Sequence, residues 1–240
     1  MDLMADLGAS ILAKLKNKAK EFNLNYQHCL QLFFQEEFLR RLSNSRYAEN
    51  FILKGGLFIY TLTNFQSRAT VDIDFMVKHL DNNPKLLDEV IAEVINVSTG
   101  LNEVIILEAK KCTPIAIQRE YHGLSSQITG RIKNVRIPFR IDIGVGDIII
   151  PKPKKRIIKT QLEGFEMPKV YTYSLESTIS FWEMRALCGR ANMKQNGNIF
   201  TWLTKPIKLC YVLYTYASNA KTKDKLGTIS RLLALFIFCE

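Results

Sequence analysis

The segment Phe51–Val77, FILKGGLFIYTLTNFQSRATVDIDFMV, limits the fold more than any other part of the chain. Residues 70–77 alternate apolar and polar side chains, which predicts a β-strand. Side chains two positions apart on a strand point the same way, roughly 7 Å from each other. Asp72 and Asp74 are therefore expected to project together, opposite an apolar row that packs on the core: Val71, Ile73, Phe75 and Val77.

Two carboxylates on one strand face repel each other unless a cation or water separates them. Mg²⁺ is the usual cation, because it takes oxygen ligands and is shared by carboxylates and substrate phosphates. Upstream, an apolar strand runs into Lys54-Gly55-Gly56, where glycine N–H groups can approach a phosphate closely. The apolar run 57–62 then predicts a helix that begins at this anion site. A lone glycine pair is usually a simple turn and D-x-D is common on exposed strands, but the ordered set favours chemistry on a phosphate.

The composition narrows the functional classes. The 240 residues are 47% hydrophobic, which is enough for one domain with a core, or for one domain and a small helical annex. The net charge of +10 favours polyanionic partners such as nucleic acid, with a merely basic surface as the alternative. The five scattered cysteines are expected to be reduced thiols of a cytoplasmic protein, and the three isolated histidines suggest no catalysis. Neither a membrane span nor a signal peptide is expected.

Outside the central segment, periodicity predicts helices and strands in a mixed order. Helices are expected at residues 3–22, 26–42 and 85–94, the second with an apolar stripe of Leu30, Phe33, Phe34, Phe38 and Leu42. Strands are expected at 104–107, 115–117, 126–132 and 135–143, the last two joined by a turn at Lys133-Asn134. Residues 123–126 and the basic stretch 150–160 are expected to be loops. A helical region is expected from residue 171, with Ser174 as a candidate N-cap.

The motifs resemble those of the AbiEii/AbiGii family of nucleotidyltransferase-like toxins from type IV toxin–antitoxin and abortive-infection systems. The resemblance rests on FILKGGLFIY followed by R-x-T-x-D-I-D-F, and begins earlier at FFQEEFLRRLSNSRYAEN. It returns at IPFRIDIGVGD and, more weakly, at YTYSLESTI, so that it covers most of the chain. It implies an α/β, nucleotidyltransferase-like fold, with a small mixed sheet flanked by helices and a helical C-terminal part.

The resemblance also implies a set of site residues. Asp142, in the I-D-I-G-x-G-D pattern, is expected to join Asp72 and Asp74 as catalytic residues that bind Mg²⁺. An ion pair with Arg136 or Arg140 on the same strand face is the alternative role for Asp142. Binding of the NTP substrate is assigned to neighbouring residues: Lys54, Gly55, Gly56, Arg68 and Thr70.

The reaction implied by the family is transfer of a nucleoside monophosphate from an NTP to an acceptor, with loss of pyrophosphate. The expected acceptor is the 3′ end of tRNA, and the expected protein partner is a separately encoded antitoxin. The implied organisation is an N-terminal helical segment (1–50), a catalytic core (51–170) and a helical C-terminal part (171–240).

The C-terminal part departs from the family pattern. Ser180–Arg185 stands where A-E-K is expected, and Asn192–Asn198 where the R-M-K-D block would fall. Two other interpretations therefore stay open. One is an impaired remnant of the family that binds nucleotide or RNA without turnover, and the other is a basic interaction protein whose carboxylates are structural. Within the enzyme interpretation, a protein acceptor also stays open.

Overall fold

A computed structural model describes residues 3–63, 70–115, 123–146, 149, 151–175, 177 and 178. The chain divides into two compact units, Met1–Tyr173 and Ser174–Glu240. Within the described residues, the first unit contains these helices and strands: α1 (Leu3–Glu21), α2 (Tyr26–Ser43), β1 (Phe51–Lys54), α3 (Gly55–Leu62), β2 (Asp72–Val77), α4 (Pro84–Asn96), β3 (Ile106–Ala109), β4 (Thr113–Pro114), β5 (Leu124–Ile132), β6 (Val135–Val145), β7 (Lys154–Ile157) and β8 (Lys169–Thr172). The helical region expected from residue 171 is wrong at its start, because residues 171 and 172 belong to β8. In the second unit, the Ser174 hydroxyl accepts a hydrogen bond from the Ser177 N–H at 3.1 Å, as the predicted N-cap requires.

One mixed sheet organises the first unit. Its strands lie in the order β3-β5-β6-β2-β1-β8-β7, and β4 pairs with β5. Strand β1 runs antiparallel to β2 and parallel to β8, while β2 runs parallel to β6. The expected mixed α/β fold is confirmed, and the sheet is larger than the small one expected because β3, β4, β7 and β8 extend it at both sides.

Helix α2 packs on one face of this sheet. The ring of Phe38 lies 6.1 Å from that of Phe75 on β2, and Phe75 meets Phe51 of β1 edge-on at 5.3 Å. An added Cβ at Gly130 on β5 would overlap the ring of Phe34, so glycine gives that ring its room. The predicted apolar stripe of α2 is buried at every position, which confirms it as core.

The polar side chains of α2 are buried as well, which an amphipathic pattern does not predict. Glu37 pairs with both Arg40 and Arg41, and the three side chains are almost fully buried. Arg41 Nη2 donates to the Ile105 carbonyl at 2.6 Å, and Arg40 Nε donates to the Glu166 carbonyl at 2.8 Å. Buried charges of this kind require such partners, and here they fasten two distant loops to the helix.

Several strand boundaries differ from the sequence-based expectations. Strand β2 begins only at Asp72, so that Val71 lies before it and is 52% exposed, not part of the core row. The loop expected at 123–126 is wrong from residue 124 onwards, because Leu124, Ser125 and Ser126 belong to β5 and pair with Ile143, Asp142 and Ile141 of β6. The loop expected at 150–160 is also wrong in part, since β7 forms there against β8. Strand β3 starts two residues later than expected, and β4 precedes the expected strand at 115–117, whose last two residues lie outside the described part.

Two further expectations concern membranes and cysteines. No helix among the described residues combines the length and the hydropathy that crossing a membrane requires. Cys29 and Cys112, the two cysteines in the described part, are both free and buried.

Candidate functional site

Four polar residues form one row across neighbouring strands: Lys54, Asp74, Asp142 and Ser125. Asp74 on β2 is the register partner of Lys54 on β1 and of Asp142 on β6. Asp142 is in turn the partner of Ser125 on β5. Register partners share a face of the sheet, on strands about 4.8 Å apart. The row therefore projects from the face opposite the one that packs on α2.

Asp72 and Arg140 form the next row on the same face. Arg140 Nε and Nη2 each lie 3.3 Å from a different carboxylate oxygen of Asp72. The Arg140 side chain is 59% exposed and that of Asp72 is 28% exposed. The hydrogen bond to Asp72, then the charges of Asp72 and Asp142, raise the pKa of Arg140. Among the described contacts, Arg140 therefore forms its ion pair with Asp72, and the alternative pair with Asp142 is not formed.

Asp142 instead accepts a hydrogen bond from the Ser125 hydroxyl, with 2.6 Å between Oγ and Oδ1. This contact fixes one oxygen of the carboxylate. Ser125 is not among the predicted site residues, because residue 125 is expected to lie in a loop. The signal was nevertheless present, since counting pairs back from the Lys133-Asn134 turn puts Ser125 opposite Asp142.

The Asp74 carboxylate lies against the first residue of α3. An added Cβ at Gly55 would overlap this carboxylate, and Gly55 has a φ of +71°, which favours glycine. Lys54 is the N-cap residue of α3 and makes no side-chain capping bond. A negative charge is favourable at this helix end, where backbone N–H groups point outward.

Gly56 and Thr70 form the adjoining part of the site. An added Cβ at Gly56 would lie 2.9 Å from Thr70 Oγ1, so the glycine lets the threonine side chain approach the start of α3. Thr70 Oγ1 also donates to the Asp72 carbonyl at 3.2 Å. Arg68, the remaining residue assigned to nucleotide binding, lies outside the described residues.

The Lys54 ammonium lies on the carboxylate-bearing face. An added Cβ at Gly144 on β6 would be 3.2 Å from Lys54 Nζ, and Nζ is 5.7 Å from the centre of the Tyr173 ring. Gly144 is part of the I-D-I-G pattern, but its spatial relation to Lys54 depends on the order β6-β2-β1. The site thus combines two rows of carboxylates with at least two cations.

Helix α2 supports the start of β2 from the other side. Gln31 Nε2 and Gln35 Nε2 both donate to the Val71 carbonyl, at 2.7 and 2.9 Å. Val71 directly precedes Asp72, so these bonds fix the backbone from which the first carboxylate projects. Neither glutamine is predictable as a site residue, because their positions on α2 show no pattern that points to β2.

Each of the three carboxylates contacts a different group in this structure. Asp72 is turned to Arg140, Asp74 to the start of α3 and Asp142 to Ser125. Within the part of the chain that the structure describes, no three His, Cys, Asp or Glu side chains form a group that could hold a metal ion. In donor chemistry and shared face the set fits Mg²⁺, which one or two carboxylates commonly bind together with substrate phosphates. Binding would require Asp72 to turn away from Arg140.

The helices and the mixed sheet define an α/β protein with carboxylates grouped on one face of the sheet. A model of the family described as nucleotidyl transferase AbiEii toxin, type IV TA system, matches residues 37–180, more than half of the chain. The chain belongs to this family, which confirms the resemblance drawn from the motifs. The matched segment includes every residue of the two carboxylate rows.

Two crystal structures of Helicobacter pylori proteins are similar to the chain at low sequence identity. JHP933 is 17% identical with a TM-score of 0.41, over 82% of this chain and 68% of JHP933. A protein described as a candidate nucleotidyltransferase is 17% identical with a TM-score of 0.36, over 78% of this chain and 70% of its own. No curated protein sequence gives a match.

Proposed function

We propose that the chain is a toxin that transfers a nucleoside monophosphate from an NTP to the 3′ end of tRNA in the cytoplasm. Membership of the family supports a transferase with an antitoxin partner. The main structural support is the register that sets Lys54, Asp74 and Asp142 side by side on one sheet face. That arrangement puts a cation and two carboxylates next to the start of a helix, which suits a triphosphate and its metal ion.

In the proposed reaction, the acceptor hydroxyl oxygen attacks the α-phosphorus of the NTP. The bond from that phosphorus to the β-phosphate oxygen breaks, and pyrophosphate leaves. The hydroxyl proton passes to Asp142, whose Oδ1 accepts from Ser125 and whose Oδ2 is the proposed acceptor of that proton. Lys54, beside Asp74 in the same row, offsets the negative charge that develops on the leaving pyrophosphate.

The NTP phosphates are proposed to bind at the start of α3. Gly55 and Gly56 present backbone N–H groups of the first turn there, where no side chain of the N-cap residue competes. Thr70 and Arg68 would complete the nucleotide site. Mg²⁺ held by the three aspartates would neutralise charge on the triphosphate during transfer.

The basic surface supports a nucleic-acid acceptor. The net charge is +10, and Lys154 and Lys155 on β7 are exposed. Lys155 Nζ lies 5.9 Å above the ring of Tyr171, which is the register partner of Lys155 on β8. Exposed lysines bind phosphate backbones without reading bases.

For the whole chain we propose a helical segment (1–50), a core (51–170) and a helical C-terminal part (171–240), with β8 extending the core sheet to Thr172.

An impaired member of the family is the second candidate. It would bind nucleotide or RNA without turnover. Two observations favour it: the altered C-terminal motifs, which lie outside the described residues, and the pairing of Asp72 with Arg140, which occupies a carboxylate needed for the metal ion.

Transfer of label from each α-³²P-NTP, with Mg²⁺, to total tRNA and to total protein distinguishes these functions. The Asp72→Ala/Asp74→Ala double variant should lose all label, whereas Asp81→Ala, an exposed aspartate beyond the far end of β2, should keep it. Label on tRNA supports the proposal, and label on protein alone would replace the tRNA acceptor. Nucleotide binding without label from any NTP would favour the impaired enzyme.

A further inference from the structure

The ion pair between Arg140 and Asp72 has the properties of a contact that breaks during function. Both N···O distances are 3.3 Å, longer than the 2.7–2.9 Å typical of charge-assisted bonds. The Arg140 side chain is largely exposed, so the pair is screened by water and adds little to folding stability. Arg140 therefore forms a weak ion pair on the face where the substrate is proposed to bind.

Arg140 and a metal ion would compete for the same carboxylate. The guanidinium faces both oxygens of Asp72, and Asp72 is one of the three aspartates proposed to hold Mg²⁺. Two cations at one carboxylate repel each other, so an ion that binds Asp72 displaces Arg140. Once released from Asp72, the planar guanidinium of Arg140 can donate two parallel hydrogen bonds to the oxygens of a phosphate group.

We propose that Arg140 exchanges partners, from Asp72 in the empty site to the triphosphate when NTP and metal bind. This inference rests on the proposed function and adds a substrate-binding residue to it. In the empty site Arg140 keeps the repelling carboxylates neutralised, and in the occupied site it holds the phosphates from the β6 side. Lys54, on β1, would hold them from the opposite side of β2.

Two binding measurements on the intact chain test the exchange. Binding of Mn²⁺ alone is measured from the electron paramagnetic resonance signal of free Mn²⁺. Binding of each NTP, with Mg²⁺ present and no acceptor, is measured by equilibrium dialysis. Arg140→Gln should bind Mn²⁺ about five-fold more tightly, because a competing charge is gone. It should bind the NTP about ten-fold more weakly, because the guanidinium is lost. Arg140→Lys keeps the charge, so its Mn²⁺ affinity should stay at the wild-type value while its NTP affinity falls.

Arg136→Gln is the matched control, since Arg136 is an exposed arginine on the same strand and face, about 13 Å from position 140. It should change both affinities less than two-fold. Weaker binding of both ligands by Arg140→Gln, or unchanged NTP binding, would overturn the exchange while the proposed function stands. If the wild-type chain bound neither Mn²⁺ nor any NTP, the proposed function would fail and the exchange with it.

Discussion

The carboxylate of Asp74 occupies the space that a side chain at Gly55 would need. Gly55 is the first residue of α3 and has a φ of +71°, so glycine meets two requirements there, one conformational and one steric. Gly100 separates the two requirements. Its φ of +75° imposes the conformational requirement, but no atom lies within 4 Å of an added Cβ, so the steric requirement is absent.

Gly55→Ala should destabilise the protein and abolish nucleotide transfer. Gly100→Ala measures the conformational cost alone, about 1 kcal/mol, and should leave transfer unchanged. The free energy of unfolding of Gly55→Ala should fall by more than that amount, because the methyl group displaces Asp74. Urea denaturation and label transfer measure both effects. Equal losses for the two variants, with transfer intact, would show that Asp74 tolerates the methyl group.

Gly144→Ala should weaken NTP binding through Lys54. The added methyl would lie 3.2 Å from Lys54 Nζ, closer than most such contacts, so the ammonium must move. We expect NTP affinity to fall a few-fold, with stability within about 1 kcal/mol of wild type. In a Lys54→Ala background the same substitution should have no further effect on affinity, which equilibrium dialysis of all four combinations would measure. Additive losses would mean that Gly144 acts independently of Lys54.

The parts of this site that depend on local sequence were predictable. The period of two in a strand places Asp72 and Asp74 on one face, and a short turn fixes the register of β5 against β6. That register contains the contact between Ser125 and Asp142, which lies outside the prediction only because the strand is expected to begin at residue 126.

The remaining features depend on contacts between distant segments. Strand β2 lies parallel to β6 although more than fifty residues separate them, and this pairing decides that Arg140 contacts Asp72. Likewise, Gln31, Gln35 and Glu37 are buried, and their partners come from later in the chain: the Val71 carbonyl for both glutamines and the Thr99 hydroxyl for Glu37. A hydrophobic pattern reports the apolar stripe of such a helix and not the partners of its polar side chains.

The two glutamines of α2 that bind Val71 should act together. Gln31→Met and Gln35→Met should each cost about 1 kcal/mol, because the other donor still satisfies the carbonyl. The loss should be smaller for Gln35→Met, since Gln35 Oε1 is buried without a hydrogen-bond partner in the described structure. The double variant should lose about 1 kcal/mol more than the sum, as the carbonyl then lacks both donors.

The double variant should also transfer less label than wild type at a temperature well below its melting temperature, where it is folded. The reason is that Val71 directly precedes Asp72, so a loosened Val71 backbone displaces the Asp72 carboxylate. Gln27→Met, an exposed glutamine on the same helix, is the control for stability and for transfer. Strict additivity of the single losses, or full transfer by the folded double variant, would contradict a joint role in holding the start of β2.

Glu36 should make the protein less stable as the pH rises. It is 1% exposed, and burial raises its pKa to about 8 against the opposing effects of Gln161 and Arg40. One oxygen accepts from the Gln161 N–H at 2.9 Å, and the other is buried without a partner in the described structure. Between the usual pKa of 4.5 and about 8, the folded state holds a proton that the unfolded state has released. The free energy of unfolding therefore falls with pH in this window, by up to about 1.4 kcal/mol per pH unit.

Glu36→Gln removes the titrating group and keeps the acceptor for Gln161. Relative to wild type, it should gain little stability at pH 5 and about 3 kcal/mol more at pH 8. Urea denaturation at pH 5, 6.5 and 8 measures the difference, with the exposed Glu89→Gln on α4 as the control. A constant difference between Glu36→Gln and wild type across this range would mean that Glu36 is already ionised in the folded protein at pH 5. A difference that rises with pH would show that the buried Glu36 side chain is a neutral carboxylic acid in the folded protein at pH 5.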